Sequence, residues 1–421
     1  MGTLKSGLKV LLVIIIAIIV VFGGYVLYLQ LNYERIADHL ELGVDYLSVP
    51  TPASSDTPGN PAGDAPSEVT ALVRHTFETN TKYTAFTFNI GFGAYDHDFS
   101  FFMDKGAMND GTKTVGAMSR AASEEAAERN TDAVIRRALD EDPDIALFQE
   151  VDVAADRSYN VDQRKRIVDA FSADFLASEG GSNLLSWTYA TNFHTAYLLY
   201  PPTKPIGYIK DSGLLTISKY RIEGAVRRSF PVSNAFPTKF FDLDRCFTVN
   251  RLAVVADAPA QGEAAPGEAA KAIIGELVLI NVHTSAYDKG GKIREAQMAL
   301  LGDLVSKEYA AGNWVIVGGD FNHALGGSID AFMGQMERPP WAQPFDEAMV
   351  PEGFTMLVAD NADKVATDRD SSIPYVEGVN YQVTVDGFMV SDNVEAVTHN
   401  IDTDYEGSDH NPVRMEFILR R

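Results

Sequence analysis

Residues 314–322 read WVIVGGDFN. Four apolar residues, Trp314 to Val317, run into two glycines, then Asp320 and Asn322. A short apolar run rich in β-branched residues and bounded by glycine reads as a buried strand. A carboxylate at the end of such a strand is costly to desolvate unless it is paired or metal-bound. The same pattern recurs outward from this stretch. Asn89 ends TAFTFN, Glu150 ends IALFQE and His283 ends LVLINVH. Asp386 lies in VTVDGFMV, and Asp409 and His410 lie in GSDHNPV before a final strand. Six strand ends with oxygen or imidazole chemistry point to one converging site. Its oxygen donors suit Mg²⁺, or Mn²⁺, better than zinc.

Between the apolar runs lie two helical patterns, Ser123 to Leu139 and Lys292 to Tyr309. Strands outnumber helices, and strict β-α alternation is absent. That predicts a layered α/β sandwich over a doubly wound parallel sheet. The stretch Asp257 to Lys271 (DAPAQGEAAPGEAAK) sits between strand-like LAVVA and ELVLINV, and reads as a long hairpin loop.

The N-terminal part differs in texture. Val10 to Leu29 holds twenty residues without a charge. At about 1.5 Å per residue this covers a hydrocarbon core of about 30 Å. No small-residue cleavage pattern follows, so a retained anchor is expected over a cleaved signal peptide. Lys5 and Lys9 precede the span; Glu34, Asp38, Glu41 and Asp45 follow it, with only Arg35 basic. The positive-inside rule then puts the N-terminus in the cytoplasm and the rest outside. Pro50 to Ser67 is rich in Pro, Ala, Gly, Ser and Asp, as an extended tether would be. The expected organisation is a short cytoplasmic tail (1–9), a transmembrane helix (10–29), an extracytoplasmic tether (30–81) and a catalytic domain (82–421).

The chain has 421 residues and a formal net charge of −23. Hydrophobic residues make up 46%, which excludes a wholly disordered chain. The one cysteine, Cys246, excludes an internal disulfide and a cysteine-based zinc site. The charge argues against an extended basic cradle for nucleic acid.

The order N…QE…H…GDFN…D…SDH resembles that of the endonuclease/exonuclease/phosphatase superfamily, over roughly Tyr83 to Arg421. The resemblance implies a four-layer αββα sandwich of the DNase I-like kind. It implies that Glu150 is the main metal carboxylate, with Asn89 and Asp409 helping. It implies that Asp320 orients or deprotonates the attacking water and that Asn322 holds the phosphate oxygens. His410, oriented by Asp386, would stabilise the pentacoordinate phosphorus. His283 would donate to the phosphate or the leaving oxygen. Arg251, in VNRLAVV, is carried as a phosphate contact. The family's glutamate partner for the second histidine has no match; Asn192 to His194 lies in that region.

The function expected is a membrane-anchored, divalent-metal-dependent phosphoesterase. It hydrolyses a phosphodiester or a phosphomonoester by in-line attack of water, in a phospholipid head group, a small phosphodiester or a nucleic acid. No protein partner is expected. An extracytoplasmic nuclease is the alternative within the family. A non-catalytic binding protein on a degenerate version of the fold is the alternative from another class. Its mark would be a lost metal glutamate, GDFN aspartate or SDH histidine, and none is lost.

Overall fold

A computed structural model describes residues 2–48, 75–178, 184–257, 271–286, 288 and 290–421. Two mixed sheets face each other. In the first, the strands run in the order Leu40–Leu42, Ile222–Ser229, Cys246–Asp257, Lys271–His283, Trp314–Asp320, Asp386–Ser391 and Phe354–Met356. Phe77–Glu78 also pairs with Cys246–Asp257. In the second, the order is Val394–Asn400, Val413–Leu419, Lys82–Asn89, Ile145–Ala155, Gly207–Ser218, Leu184–Leu198 and Val44–Ser48. Between the sheets, Leu147 and Met415 of one meet Leu279 and Ile316 of the other, all fully buried.

Helices close both outer faces. Met298, Leu301 and Val305 of the helix Lys292–Ala310 cover the first sheet. Val134 and Ala138 of Glu124–Asp140, with Ile167 and Phe171 of Gln163–Ala177, cover the second. Each of the larger of these side chains contributes about 1.5–3 kcal/mol when fully buried. The result is the expected helix–sheet–sheet–helix stack. The helix Glu124–Asp140 starts at Ser123, whose Oγ accepts from the Ala126 amide. Glu124 and Glu125 in its first turn and Arg137 in its last complement the helix dipole. The helix Gln163–Ala177 was not among the elements expected. Its signal is Ile167, Phe171 and Phe175, spaced four apart and all buried, behind an Asp162 cap.

Cys246–Asp257 and Lys271–His283 form the expected hairpin, in register from Asp257 opposite Lys271. Residues 258–270 of its loop lie outside the described residues. The N-terminal helix, α1, runs Gly2–Leu31 without a break. From Ser6 to Leu31 it is long and apolar enough to cross a membrane.

The segment 30–81, expected as a tether, does more than connect. Residues 49–74 of it lie outside the described residues. Before them, Leu40–Leu42 pairs with Ile222–Ser229 at one sheet's edge, and Val44–Ser48 pairs with Leu184–Leu198 at the other's. Residues LELGVDYLS are short and partly apolar, and Gly43 separates the two strands. Only the backbone pairing of edge strands is needed to hold them. Further contacts clamp the same stretch: Arg35 pairs with Asp244, and Arg228 with Asp38. Since only residues 32–39 separate α1 from the first strand, the helix is seated on the domain and not held on a long leash.

Candidate active site

Strand register lays out the site. In the first sheet, His283 lies opposite Asp320, and Asp320 opposite Asp386, one row across three adjacent strands. In the second, Asn89 lies opposite Gln149. Glu150 follows at a bulge, where pairing with Gly207–Ser218 skips from Phe148 to Val151. Its φ of 55° is left-handed, a conformation that costs about 1–3 kcal/mol outside glycine. The bulge sends neighbouring residues different ways. Gln149 enters the sandwich, where its Nε2 donates to Asn281 Oδ1 at 2.8 Å. Glu150 lines the cavity.

Asp320 is the best-held carboxylate. It accepts from Asn89 Nδ2 at 3.0 Å, from the Asn322 amide at 2.8 Å and from Asn322 Nδ2 at 3.0 Å. Asn322, with φ 49°, closes the turn that makes the last two bonds. Behind it the buried Arg294 donates to the Asn322 carbonyl at 2.6 Å. Burial, then the nearby Asp386, pushes the Asp320 carboxyl up to about 7.

The two histidines sit in opposite states. His410 Nδ1 lies 2.7 Å from Asp386 Oδ2. Burial opposes its charge, but Asp386 and Asp368 outweigh burial and hold its pKa well above the ordinary value. His283 Nε2 lies 3.4 Å from Asp320 and 3.8 Å from Glu150. Burial, then Arg245 and His410, keeps it neutral, well below its ordinary pKa. Its Nδ1 has no hydrogen-bond partner among the described residues. His194 pairs instead with Asp244, at 3.1 Å.

Asp409 receives one long bond, from Ser371 Oγ at 3.4 Å, and burial raises its pKa to about 6. The closest acid and imidazole clusters are Asp320–Asp386–His410 and Asp368–Asp409–His410, with ligand atoms within 4.8 Å. Glu150 is in neither. Asp386 already binds His410, so these clusters describe an imidazolium among carboxylates. The donors left for a cation are the oxygens of Glu150, Asp409 and Asn89, hard ligands that fit Mg²⁺ or Mn²⁺. A half-buried acid with one weak hydrogen bond, as at Asp409, is what such a cation would neutralise.

Asn89, Glu150, His283, Asp320, Asn322, Asp409 and His410 all line one cavity of about 1040 Å³. Asp386 stands behind His410. Arg251 is elsewhere. On its strand, Asn250 points between the sheets to Thr188, so Arg251 points to the opposite face. There it binds Glu276 at 2.6 Å and Glu308 of the covering helix.

Four basic side chains reach the cavity: Lys105, which is exposed, and Arg157, Arg245 and Arg369, each at least nine-tenths buried. Arg157 is committed to Asp152 at 2.8 Å and stacks on Phe92. Arg245 Nε and Nη1 and Arg369 Nε and Nη1 have no hydrogen-bond partner among the described residues. All three occur as Asp-Arg pairs, 156–157, 244–245 and 368–369. That repeated dipeptide is the signal sequence reasoning passed over, because neighbouring opposite charges usually lie on a surface. Asp368 was missed with Arg369. Residues 367–369 run beside the SDH loop, where the Arg369 amide donates to the Asp409 carbonyl at 3.1 Å.

Several solved structures are similar to this chain. An endonuclease/exonuclease/phosphatase from Beutenbergia cavernae DSM 12333 is 17% identical, with a TM-score of 0.47, over 80% of this chain and 72% of that one. ANGEL2, a 2′,3′-cyclic phosphatase, is 13% identical with a TM-score of 0.47, over 82% and 97%. Truncated TDP2 from Caenorhabditis elegans is 14% identical with a TM-score of 0.43, over 81% and 99%. No curated protein matches the chain. The family model described as "Endonuclease/Exonuclease/phosphatase family" matches residues 86–410, from the strand that carries Asn89 to His410 itself. With that match spanning both sheets and every strand end of the cavity, the chain belongs to the endonuclease/exonuclease/phosphatase family.

Proposed function

We propose that this chain is a membrane-anchored, divalent-metal-dependent phosphoesterase that hydrolyses its substrate by in-line attack of water. The observation that carries this reading is the row His283–Asp320–Asp386 facing Asn89 and Glu150 across one cavity. Glu150, Asp409 and Asn89 would hold Mg²⁺ or Mn²⁺. When bound, such a cation neutralises negative charge on phosphate oxygens.

The chain's own residues supply the remaining chemistry. Asp320 takes a proton from water as it attacks phosphorus. Its three hydrogen bonds fix its direction, and a pKa near 7 suits proton acceptance near neutrality. His410, charged and braced by Asp386, stabilises negative charge on the pentacoordinate phosphorus. His283, neutral, donates a hydrogen bond towards the leaving oxygen. Asn322, with the Nε and Nη1 groups of Arg245 and Arg369 that lack a hydrogen-bond partner among the described residues, takes the remaining phosphate oxygens. The anchor is α1, and its flanking charges favour an extracytoplasmic catalytic domain.

The test is hydrolysis of bis-p-nitrophenyl phosphate by the full chain in detergent. Release stimulated by Mg²⁺ or Mn²⁺ and lost with EDTA is expected. No release above the chelated control would favour a binding protein. For orientation, a C-terminal alkaline phosphatase fusion should be active; an expressed but inactive fusion would reverse the topology.

A further inference from the structure

The catalytic cavity does not end at the polar residues. It continues to α1, where Phe22, Tyr25, Val26 and Leu29 line it. These positions are i, i+3, i+4 and i+7, one face of a helix. The opposite face is exposed, as at Val20 and Leu27. From Phe22 to Leu29 the helix rises about 10 Å. The cavity therefore follows the anchor well below its last turn.

The seat of α1 is specific. Tyr25 Oη donates to the Tyr197 carbonyl at 3.1 Å and accepts from the Leu199 amide at 2.8 Å. Tyr28 Oη accepts from the Tyr197 amide at 3.2 Å. Leu29 is buried against Phe193, Ile209 and Phe240. Beside this joint, Leu199, Tyr200 and Phe236 are more than half exposed. Large apolar groups at the end of a spanning helix, with tyrosines among them, mark a membrane–water interface.

One cavity thus has an apolar end that runs along the last turns of α1. Its other end carries Arg245, Arg369 and the carboxylate–imidazole site. From this we infer that the substrate is a membrane lipid with a phosphodiester head group. It enters from the bilayer along α1, which forms a wall of the lipid site as well as the anchor. The inference rests on the phosphoesterase reading above. The acyl chains lie along Phe22, Val26 and Phe236 while phosphorus reaches Asp320. The water oxygen bonds to phosphorus and its proton passes to Asp320. The bond from phosphorus to one ester oxygen breaks; that oxygen takes a proton from solvent water and leaves as an alcohol, and Asp320 returns its proton to solvent. The other product is a phosphomonoester. Nucleic acid has no use for an apolar wall of this kind, and the net charge of −23 repels it.

The test uses the full chain with Mg²⁺ in nanodiscs containing phosphatidylethanolamine, phosphatidylglycerol or sphingomyelin. Bis-p-nitrophenyl phosphate and plasmid DNA are the water-soluble arms. At least one lipid should be cleaved to an alcohol and a phosphomonoester. The variants Val26→Trp, which narrows the apolar end, and Phe236→Ser, at an exposed rim position, should lower the ratio of lipid to soluble-diester kcat/KM. The expected drop is about tenfold, the scale of losing one large apolar contact. An unchanged ratio in both variants overturns the inference. Cleavage of the soluble diester or DNA with no cleavage of any lipid also overturns it, and leaves the phosphoesterase reading standing. Cleavage of nothing in any arm overturns both.

Discussion

The two ends of the cavity are built in opposite ways. At the polar end, Asn89, His283 and Asp320 leave the ends of paired strands and Glu150 leaves a bulge within one, in a register fixed by backbone hydrogen bonds. At the apolar end, the wall comes from α1, the Phe101–Met103 segment, the turn near Tyr200 and the stretch from Phe236 to Leu243. Phe193 and Ile209 line it from the paired strands Leu184–Leu198 and Gly207–Ser218, but these other wall segments are not joined to one another by a sheet among the described residues. Chemistry at phosphorus demands positions held to fractions of an ångström. Hydrophobic contact is non-directional and tolerates loops. The contrast predicts steep losses at the polar end and graded ones at the apolar end.

The largest effect should come from Asp320→Ala or His410→Ala. Each should lower kcat by about 10²–10⁴-fold while circular dichroism stays unchanged. Substantial residual turnover in either purified variant would remove the mechanism. The pH profile sharpens the same point. Asp320 must be unprotonated to accept a proton, so kcat/KM should rise with pH and level off. Its pKa is pushed up to about 7, and a bound cation lowers it, so the limb should lie at or below about pH 7. A profile that falls as pH rises from 5 to about 7 would contradict the assignment.

Asp386→Asn should have a smaller effect. Asp386 acts through His410, which it orients and keeps charged, so the loss should be in kcat, by about 10²-fold. The His410 imidazole pKa, followed by NMR, should fall in the same variant. A change in kcat without that fall would mean that Asp386 acts in another way.

The smallest effect belongs to Arg251→Ala, outside both ends. Its ion pairs with Glu276 and Glu308 are partly exposed and worth about 1 kcal/mol or less. Thermal stability should drop slightly and kcat/KM should not change. A large rise in KM would return Arg251 to the phosphate site.

The polar end was legible because its residues end apolar strands. A desolvated Asp320 needs a partner, and that need shows in the local sequence. Arg245 and Arg369 were not legible, because an Asp-Arg pair looks the same on a surface and in a cavity. Arg251 misled for the converse reason. It lies in a strand whose alternate residues face the sandwich, and only pairing fixes which face it takes.

The sequence by itself determined the layered α/β fold, a helix able to span a membrane, and the oxygen and imidazole groups of the site. These follow from short-range patterns: runs of apolar residues and the polar residues that interrupt them. Only the tertiary structure decided that residues 40–48 complete both sheets and that α1 is seated on the domain. It alone decided that one face of α1 continues the wall of the catalytic cavity. Those relations join segments about 170 residues apart, Tyr25 with Tyr197 among them. They depend on which surfaces meet, and no local pattern records that.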